Sequence, residues 1–402
     1  MSRIRIAVTG LGVVSALGPD LACFRDGLRA GRSGLGPLTL FDGDGLRGRI
    51  VGQAVDPGAA DAAVPTSRGD RFGVAAARAA VGHAGLDGCA LAGAGVVFGV
   101  GSGGAALVEQ YLRSVDAHDE AGELPSLAWM RAQQPASVSD LVARAFAAGG
   151  PRQTVMTGCS SSALAIGMAA DWLRLGEVDV ALAGGVEGLC RLTSAGFSSI
   201  RAVSPRPCRP FDAERDGLNL GEGGAVLVLE SWEHAVARGA TIWAELAGWG
   251  AAGDAWHATA PRPDGEGAAR AMRAALADAA LPRTAIDHVN AHGTATAYND
   301  AAEARAIAAV FGAHTPKVAV SSVKSMIGHT LGAAGAIEAA ASVLSLRDGF
   351  VPPTLHTERL DPSLAVDVVL GAARRRPLGA VLSNSFAFGG NNVALVFARP
   401  DA

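Results

Sequence analysis

Two long stretches of this chain show the same succession of structural elements. Arg152–Asp179 (RQTVMTGCSSSALAIGMAADWLRLGEVD) and Lys317–Gly349 (KVAVSSVKSMIGHTLGAAGAIEAAASVLSLRDG) each begin with an apolar β-like run, pass through small residues and enter an Ala-rich helical stretch. Apolar runs that alternate with helices are typical of a mainly parallel sheet covered by helices. The likeness predicts two similar α/β halves whose helix N-termini, one after Cys159 and one near His329, face a shared cleft.

The length of the chain agrees with two such units. With 402 residues, 49% of them apolar and 18% charged, the chain exceeds the usual size of a single core and has the composition of a folded α/β protein. We expect the boundary near the stretch VARGATIWAELAGWG, so that residues 1–240 form the N-terminal half and residues 241–402 the C-terminal half.

Charge and cysteine content exclude several classes of protein. A net charge of −4 gives no general attraction for nucleic acid or for an anionic membrane. No apolar run is long enough to span a bilayer, and the first residues lack the pattern of a signal peptide, so a cytoplasmic location is expected. The five cysteines form no CxxC pair and no zinc-ligand spacing, which argues against a disulfide scaffold and predicts no metal site. They are Cys23, Cys89, Cys159, Cys190 and Cys208.

Two glycine clusters allow a nucleotide-binding interpretation, but a weak one. Thr9–Ser15 (TGLGVVS) lacks the third glycine of a dinucleotide fingerprint, and Gly99–Ala105 (GVGSGGA) lacks both that spacing and the lysine of a P-loop. Tight turns or close approaches between backbones explain both clusters better.

Cys159 is the strongest candidate for a reactive group. It follows an apolar run, lies between Gly158 and three serines, and precedes a long helical stretch. A thiol in the first turn of a helix meets unpaired backbone N–H groups and the positive end of the helix dipole, both of which favour the thiolate. We therefore expect a lowered pKa at Cys159 and treat the other four cysteines as ordinary small core residues.

The second half supplies partners for such a nucleophile. His292 ends an apolar run in VNAHGTATAYND and is followed by a glycine and by Thr294 and Thr296. Lys324 and His329 lie on either side of small residues in SSVKSMIGHTLGAAGA, just before a helix. Polar residues on loops that follow the strands of an α/β sheet are typical of active sites. A thiolate that forms an acyl thioester needs such proton-handling partners and a site for the oxyanion.

The ordered set Cys159, His292, Lys324 and His329, with the C-terminal motif FAFGGNN, resembles the β-ketoacyl synthases, specifically the elongating condensing enzymes of type II fatty-acid and type II polyketide systems. The resemblance covers nearly the whole chain. It implies a thiolase-like fold: two α/β halves related by a pseudo-two-fold axis, in a layered α-β-α-β-α arrangement.

The resemblance also implies a mechanism. Cys159 would accept the acyl group, and His292 and His329 would hold a malonyl thioester, promote loss of CO2 and stabilise the enolate. Lys324 would orient His329, and the backbone N–H groups of Cys159 and Phe388 would form the oxyanion hole.

Further roles are implied for residues that match family positions. Thr294 and Thr296 would bind the pantetheine arm, Phe388 would gate the site, and Phe197 would line the acyl pocket. Ser102 would lie at the pocket end, where a small side chain admits longer or stiffer chains. The remaining matches are two acidic residues that support the lysine and histidine network, Glu303 and Glu338, and three basic residues for carrier docking, Arg68, Arg71 and Arg201.

The expected partners follow from the same resemblance. The substrates would arrive on the phosphopantetheine arm of an acyl carrier protein, with no bound cofactor, and the chain would pair with a second copy or with a chain-length-factor-like homologue. Gly158 and Ser102 favour a polyketide pathway over housekeeping fatty-acid elongation, which remains the alternative. A non-catalytic partner subunit is a third possibility; Cys159 argues against it, since such subunits lack the nucleophile.

Overall fold

The computed structural model describes residues 4–58, 65–118 and 133–400. The strands are β1 (Ile6–Val14), β2 (Leu35–Pro37), β3 (Ile50–Gly52), β4 (Gly95–Val100), β5 (Arg152–Val155), β6 (Val180–Glu187), β7 (Gly223–Ser231), β8 (Ala244–Gly253), β9 (Ile286–Asn290), β10 (Ala319–Ser321), β11 (Phe350–Val351), β12 (Asp367–Val368), β13 (Arg374–Arg375), β14 (Ala380–Ala387) and β15 (Asn391–Ala398). The helices are α1 (Leu21–Ala30), α2 (Arg68–Ala84), α3 (Gly88–Leu91), α4 (Ala105–His118), α5 (Ser137–Phe146), α6 (Ser161–Arg174), α7 (Arg191–Ser199), α8 (Trp232–Ala237), α9 (Glu266–Asp278), α10 (Asn299–Phe311), α11 (Lys324–Ile327) and α12 (Ala334–Asp348).

Eleven of the described strands form one sheet, in the order β12-β10-β9-β14-β15-β8-β1-β7-β6-β4-β5. The same pairing pattern occurs on both sides of its middle. In one half, β4 lies parallel to β5 and β6, β6 is antiparallel to β7, and β7 is antiparallel to β1. In the other half, β9 lies parallel to β10 and β14, β14 is antiparallel to β15, and β15 is antiparallel to β8. The halves join where β1, within residues 1–240, pairs with β8, within residues 241–402. The division of the chain at this point stays a prediction.

Helices lie in three layers, one between the two halves of this sheet and one on the outer face of each half. One apolar cluster packs α2 and α5 against β4, β6 and β7, and a second packs α9 and α10 against β9, β14 and β15. The largest cluster joins α6 and α12 to strands of both halves. The order of layers is therefore α-β-α-β-α, and the predicted fold class is confirmed.

The two central helices are apolar around most of their circumference because they have protein on all sides. Every residue of α12 from Ala334 to Leu346 is buried. Small side chains let the two helices approach closely: a Cβ atom added to Gly335 would lie 2.6 Å from the backbone nitrogen of Ala163 in α6. This contact places the N-termini of the two helices side by side, one after Cys159 and one after His329.

No helix in the described part of the chain is long and apolar enough to cross a lipid bilayer.

Candidate active site

Cys159 lies in a short 3₁₀ turn, Gly158–Ser160, between strand β5 and helix α6. Gly158 has a φ of +64°, a left-handed conformation that glycine adopts without steric cost. The serines that follow are structural. The hydroxyl of Ser161 donates to the carbonyl of Gly158, and the hydroxyl of Ser162 accepts from the backbone N–H of Ala336 in α12. These two hydrogen bonds fix the turn and the start of helix α6, and the thiol of Cys159 faces the second half of the chain.

His329 is the immediate partner of the thiol. Its Nε2 lies 3.0 Å from Sγ of Cys159, although the two residues come from different halves of the chain. Nδ1 of His329 is buried and has no hydrogen-bond partner among the described residues. Since no fixed partner holds Nδ1 in one protonation state, the ring can accept the thiol proton at Nε2 or donate from Nε2.

The prediction of a lowered thiol pKa is wrong for this structure. Burial raises the pKa of Cys159 to about 12; Lys324 opposes this effect, while Glu187 and Glu338 add to it. The side chain is only 8% exposed, so the thiolate loses most of its hydration, and the helix N-terminus does not compensate. The thiol is protonated at neutral pH, and a neighbouring base must remove its proton during the reaction.

The raised pKa leads to a measurable pH dependence. Alkylation of Cys159 by iodoacetamide should quicken by about tenfold for each pH unit from pH 7 to pH 10, because only the thiolate reacts and its fraction keeps rising below a pKa of about 12. A thiol with the ordinary pKa of 9.0 would level off within this interval. Peptide mass spectrometry gives the rate at Cys159 itself; a rate that levels off below pH 10 would contradict the raised pKa.

Lys324 contacts the other histidine. Its Nζ lies 3.3 Å from Nδ1 of His292 and also forms an ion pair with Glu338, and all three side chains are buried. The sequence-based expectation that Lys324 orients His329 therefore differs from the structure, in which Lys324 orients His292. An ammonium group can only donate, so Nδ1 of His292 accepts and its Nε2 carries the hydrogen.

Both histidines are neutral. Burial lowers the pKa of His292 and of His329 well below the ordinary value of 6.5, and the charge of Lys324 acts in the same direction. The ring centroids lie 5.3 Å apart in an edge-to-face arrangement. Two neutral imidazoles next to a thiol can donate to an oxygen that develops negative charge, without first losing a proton to it.

Glu303 acts on the backbone of the loop that carries His292. Its carboxylate accepts the backbone N–H groups of His292 at 2.9 Å and of Gly293 at 2.8 Å, and also the side-chain amide of Asn384. The two acidic residues that were expected to support the lysine and histidine network therefore act in different places. Glu338 pairs with Lys324, whereas Glu303 fixes the position of the His292 loop.

A cavity of about 470 Å³ opens onto these groups. Thr294 and Thr296 line it, with their hydroxyl oxygens 2.9 Å apart. Phe197 and Phe388 line the same cavity, and their rings stack with centroids 5.8 Å apart. Within the described residues, the backbone N–H of Phe388 donates to no backbone carbonyl, so it is free to bind a ligand oxygen.

The remaining predicted residues divide into two groups. Arg201 lines the cavity, is exposed and has no carboxylate partner in the described part of the chain. Arg68 and Arg71 do not line the cavity, and both pair with Asp56. Ser102 does not line it either, because its N–H and hydroxyl bind Glu187. The structure thus keeps Arg201 at the cavity and gives the other three residues internal partners.

Several lining residues were not predicted from the sequence. Asp254 and His257, on the loop after β8, line the cavity, as does Tyr298, which is 73% exposed. His257 accepts two backbone N–H groups of its own loop and so shapes the cavity wall. The signal that singled out His292, a polar residue in a glycine- and alanine-rich segment after a strand, also occurs in AAGDAWHATAP. It could have identified this loop.

Sequence models of known families match most of the chain. The model described as the β-ketoacyl synthase N-terminal domain matches residues 3–235, and that of the β-ketoacyl synthase C-terminal domain matches residues 243–358.

Individual relatives cover the chain from end to end. A 3-oxoacyl-[acyl-carrier-protein] synthase 2 of Synechocystis sp. is 38% identical, with 99% of each chain covered. A putative polyketide β-ketoacyl synthase 1 of Streptomyces cyaneus is 41% identical, with 98% of each chain covered. Among solved structures, the ishigamide ketosynthase/chain length factor superposes with a TM-score of 0.93 at 37% identity, covering 99% of this chain and 100% of that chain.

Proposed function

Because the chain belongs to the β-ketoacyl synthase family, and is therefore a condensing acyltransferase of polyketide or fatty-acid synthesis, we propose that Cys159 holds the growing acyl group while His292 and His329 act on the incoming malonyl unit. The observation that carries this proposal is the 3.0 Å contact between Nε2 of His329 and Sγ of Cys159. It places a neutral base against a protonated nucleophile in a cavity of about 470 Å³.

Acyl transfer is the first step. Sγ of Cys159 attacks the carbonyl carbon of the acyl thioester, and Nε2 of His329 takes the thiol proton. The N–H groups of Cys159 and Phe388 stabilise the oxyanion of the tetrahedral intermediate. The carbon–sulfur bond to the pantetheine arm then breaks, and the leaving thiolate takes the proton back from His329. The acyl group is now a thioester of Cys159.

Condensation is the second step. A malonyl thioester enters along Thr294 and Thr296, and its carbonyl oxygen accepts from Nε2 of His292 and from Nε2 of His329. For this step the neutral His329 ring carries its hydrogen on Nε2, a tautomer that is open to it because Nδ1 has no fixed partner among the described residues. Loss of CO2 leaves its electron pair on the malonyl carbon as an enolate, which these donors stabilise. The enolate carbon attacks the acyl carbonyl, a carbon–carbon bond forms, and Cys159 departs as the thiolate, which then takes a proton from solvent.

The test is incubation with malonyl-carrier protein and a panel of acyl-carrier proteins, followed by mass spectrometry. We expect an acyl adduct on Cys159 and, after malonyl addition, a β-ketoacyl product longer by two carbons. Carrier binding without an adduct would instead support the non-catalytic partner subunit. Preference for polyenoyl or β-ketoacyl chains over saturated chains would assign the polyketide pathway that Gly158 favours; the opposite preference would assign fatty-acid elongation.

Substrate delivery by an acyl carrier protein is part of this proposal. The carrier is expected to be acidic. Arg201 offers an exposed cation at the cavity, without a carboxylate partner among the described residues, and the exposed side chains of Ile200 and Phe388 line the same cavity. The arm would then follow the cavity from Arg201 to Cys159.

Replacing Arg201 with glutamate should raise KM for acyl-carrier protein by about tenfold, through loss of attraction and gain of repulsion, and leave KM for a small acyl-CoA unchanged. Glutamate retains a Cβ, so the strain of the positive φ at this position stays the same. Arg273→Glu, on the exposed face of α9, is the matched control and should leave both constants unchanged. An equal loss for both substrates would remove Arg201 from the docking surface.

A second subunit is the other proposed partner. Strand β5 forms one edge of the sheet and pairs only with β4 among the described strands. Met156, directly after it, is 52% exposed. An open edge beside an exposed apolar side chain is suited to pairing with another chain. This supports a dimer with a second copy or with a chain-length-factor-like homologue.

A further inference from the structure

Glu187, at the end of β6, is a buried carboxylate that the proposed chemistry does not use. The residue is 2% exposed. One carboxylate oxygen accepts the backbone N–H of Ser102 at 2.9 Å and also the Ser102 hydroxyl; the other accepts the backbone N–H of Gly332 at 3.0 Å. No lysine, arginine or histidine in the described part of the chain forms an ion pair with it. Only neutral donors therefore balance this charge.

These hydrogen bonds join two segments that flank the reactive thiol. Ser102 follows strand β4, and Gly332 lies in the 3₁₀ turn Leu331–Ala333, directly after the His329 segment. The two segments pack backbone against backbone: a Cβ atom added to Gly332 would lie 2.1 Å from the nitrogen of Gly101. Such a contact has no side chains to hold its register, so the carboxylate bridge supplies the fixed geometry.

We propose that Glu187 is a positioning residue for acyl transfer, which holds the turn after His329 against the end of β4 and so keeps Nε2 of His329 within reach of Cys159. The inference rests on the proposed function, because it takes Cys159 as the nucleophile and His329 as its base. Hydrogen bonds to a charged group with no alternative partner are strong and directional, and a displacement of 1 Å at a reacting pair is costly.

The charge of Glu187 also acts on the thiol itself. The groups that act electrostatically on Cys159 are Lys324, Glu187 and Glu338, and His329 touches it; the two carboxylates raise the pKa of the thiol and the lysine lowers it. Burial raises the pKa of Glu187 to about 7, so its charge is present above that pH. Removing this charge should lower the thiol pKa and increase alkylation at a given pH above 7.

The test is Glu187→Gln. This variant keeps the side-chain shape, removes the charge and places an amide N–H group against the N–H and hydroxyl donors that the carboxylate accepted. We expect kcat for acyl transfer from a small acyl-CoA to fall by about tenfold or more with KM within about twofold. The pH profile of Cys159 alkylation should shift to lower pH. Glu187→Asp, which keeps the charge, should restore the alkylation profile.

Glu230→Gln is the matched control. Glu230 is also a fully buried carboxylate, on the adjacent strand β7, but it binds Thr9, His234 and Arg238 instead of the site. Glu230→Gln should lower the melting temperature and leave the pH profile of Cys159 alkylation unchanged. Equal effects of the two Gln variants on melting temperature and kcat, with an unshifted profile in both, would overturn the proposal.

The readouts separate this inference from the proposed function. A wild-type chain that forms no acyl adduct refutes the function, whereas the alkylation profile needs no acyl transfer and reports on Glu187 alone. If Glu187→Gln does not fold, Ser102→Ala removes one donor from the carboxylate and should shift the alkylation profile in the same direction by a smaller amount. An unchanged profile in that variant would also overturn the proposal.

Discussion

Replacing Cys159 with alanine should reduce condensation by at least about 10⁴-fold, because removal of a covalent nucleophile leaves only the binding and oxyanion contributions to catalysis. The acyl adduct detected by mass spectrometry should disappear at the same time. His292 and His329 remain in place in this variant, so decarboxylation of malonyl-carrier protein should persist at a measurable rate.

Cys190→Ala is the matched control for this loss. Cys190 is also buried but contacts Thr193 on helix α7 and does not line the cavity. It should retain condensation within about twofold of the wild type, since surface and core changes away from the site rarely alter the chemistry. Condensation that survives in Cys159→Ala would place the acyl group on another residue and refute the proposed mechanism.

Replacing Lys324 with methionine should lower the free energy of unfolding by about 3–5 kcal/mol, because breaking a buried ion pair leaves Glu338 as an unpaired charge. Lys324 is 1% exposed and binds both Glu338 and His292, so kcat should also fall. The change is measured by urea denaturation with the wild type under the same conditions.

The size of this loss should depend on pH in a defined direction. Burial raises the pKa of Glu338 to about 7, from an ordinary value of 4.5, even with Lys324 present. A carboxyl group with a raised pKa binds more protons in the folded state, so its contribution to stability falls as pH rises from 4.5 through the folded pKa. Lys324→Met should therefore be more destabilising at pH 8 than at pH 6.

A double variant isolates the cause. Lys324→Met combined with Glu338→Leu removes both charges, and apolar replacement of a buried ion pair is often neutral or stabilising. We expect most of the lost stability to return, without return of activity, because His292 still lacks the donor that fixes its tautomer. A double variant as unstable as the single one would show that the unpaired carboxylate is not the cause.

Local pattern predicted two similar α/β halves and singled out Cys159, His292 and the Lys324–His329 segment, while the resemblance to the β-ketoacyl synthases supplied the layered fold class and the other candidate residues. The repeated order of strand, small-residue turn and Ala-rich helix predicted two similar halves, and the pairing of β4 with β5 and β6 recurs in that of β9 with β10 and β14. The glycines of GVGSGGA were interpreted as tight turns or close backbone approaches, and Gly101 does approach Gly332. Such patterns are local, because each follows from the periodicity and size of neighbouring side chains.

Pairings between distant side chains were less predictable. Arg68 and Arg71 were expected at a docking surface, yet both bind Asp56. Lys324 was expected beside His329, yet it contacts His292. Chain order gives no information on which of two nearby histidines a long side chain reaches, since that depends on how the two loops pack.

The sequence by itself determined the order of the elements, the helix start at Cys159 and the presence of two histidines and a lysine on loops of the second half. Only the tertiary structure decided the state of the thiol. Its pKa depends on its burial and on charges from Lys324, Glu187 and Glu338, none of which is a neighbour of Cys159 in the sequence. Desolvation and Coulomb interactions act through space, so they are fixed only when the two halves pack together.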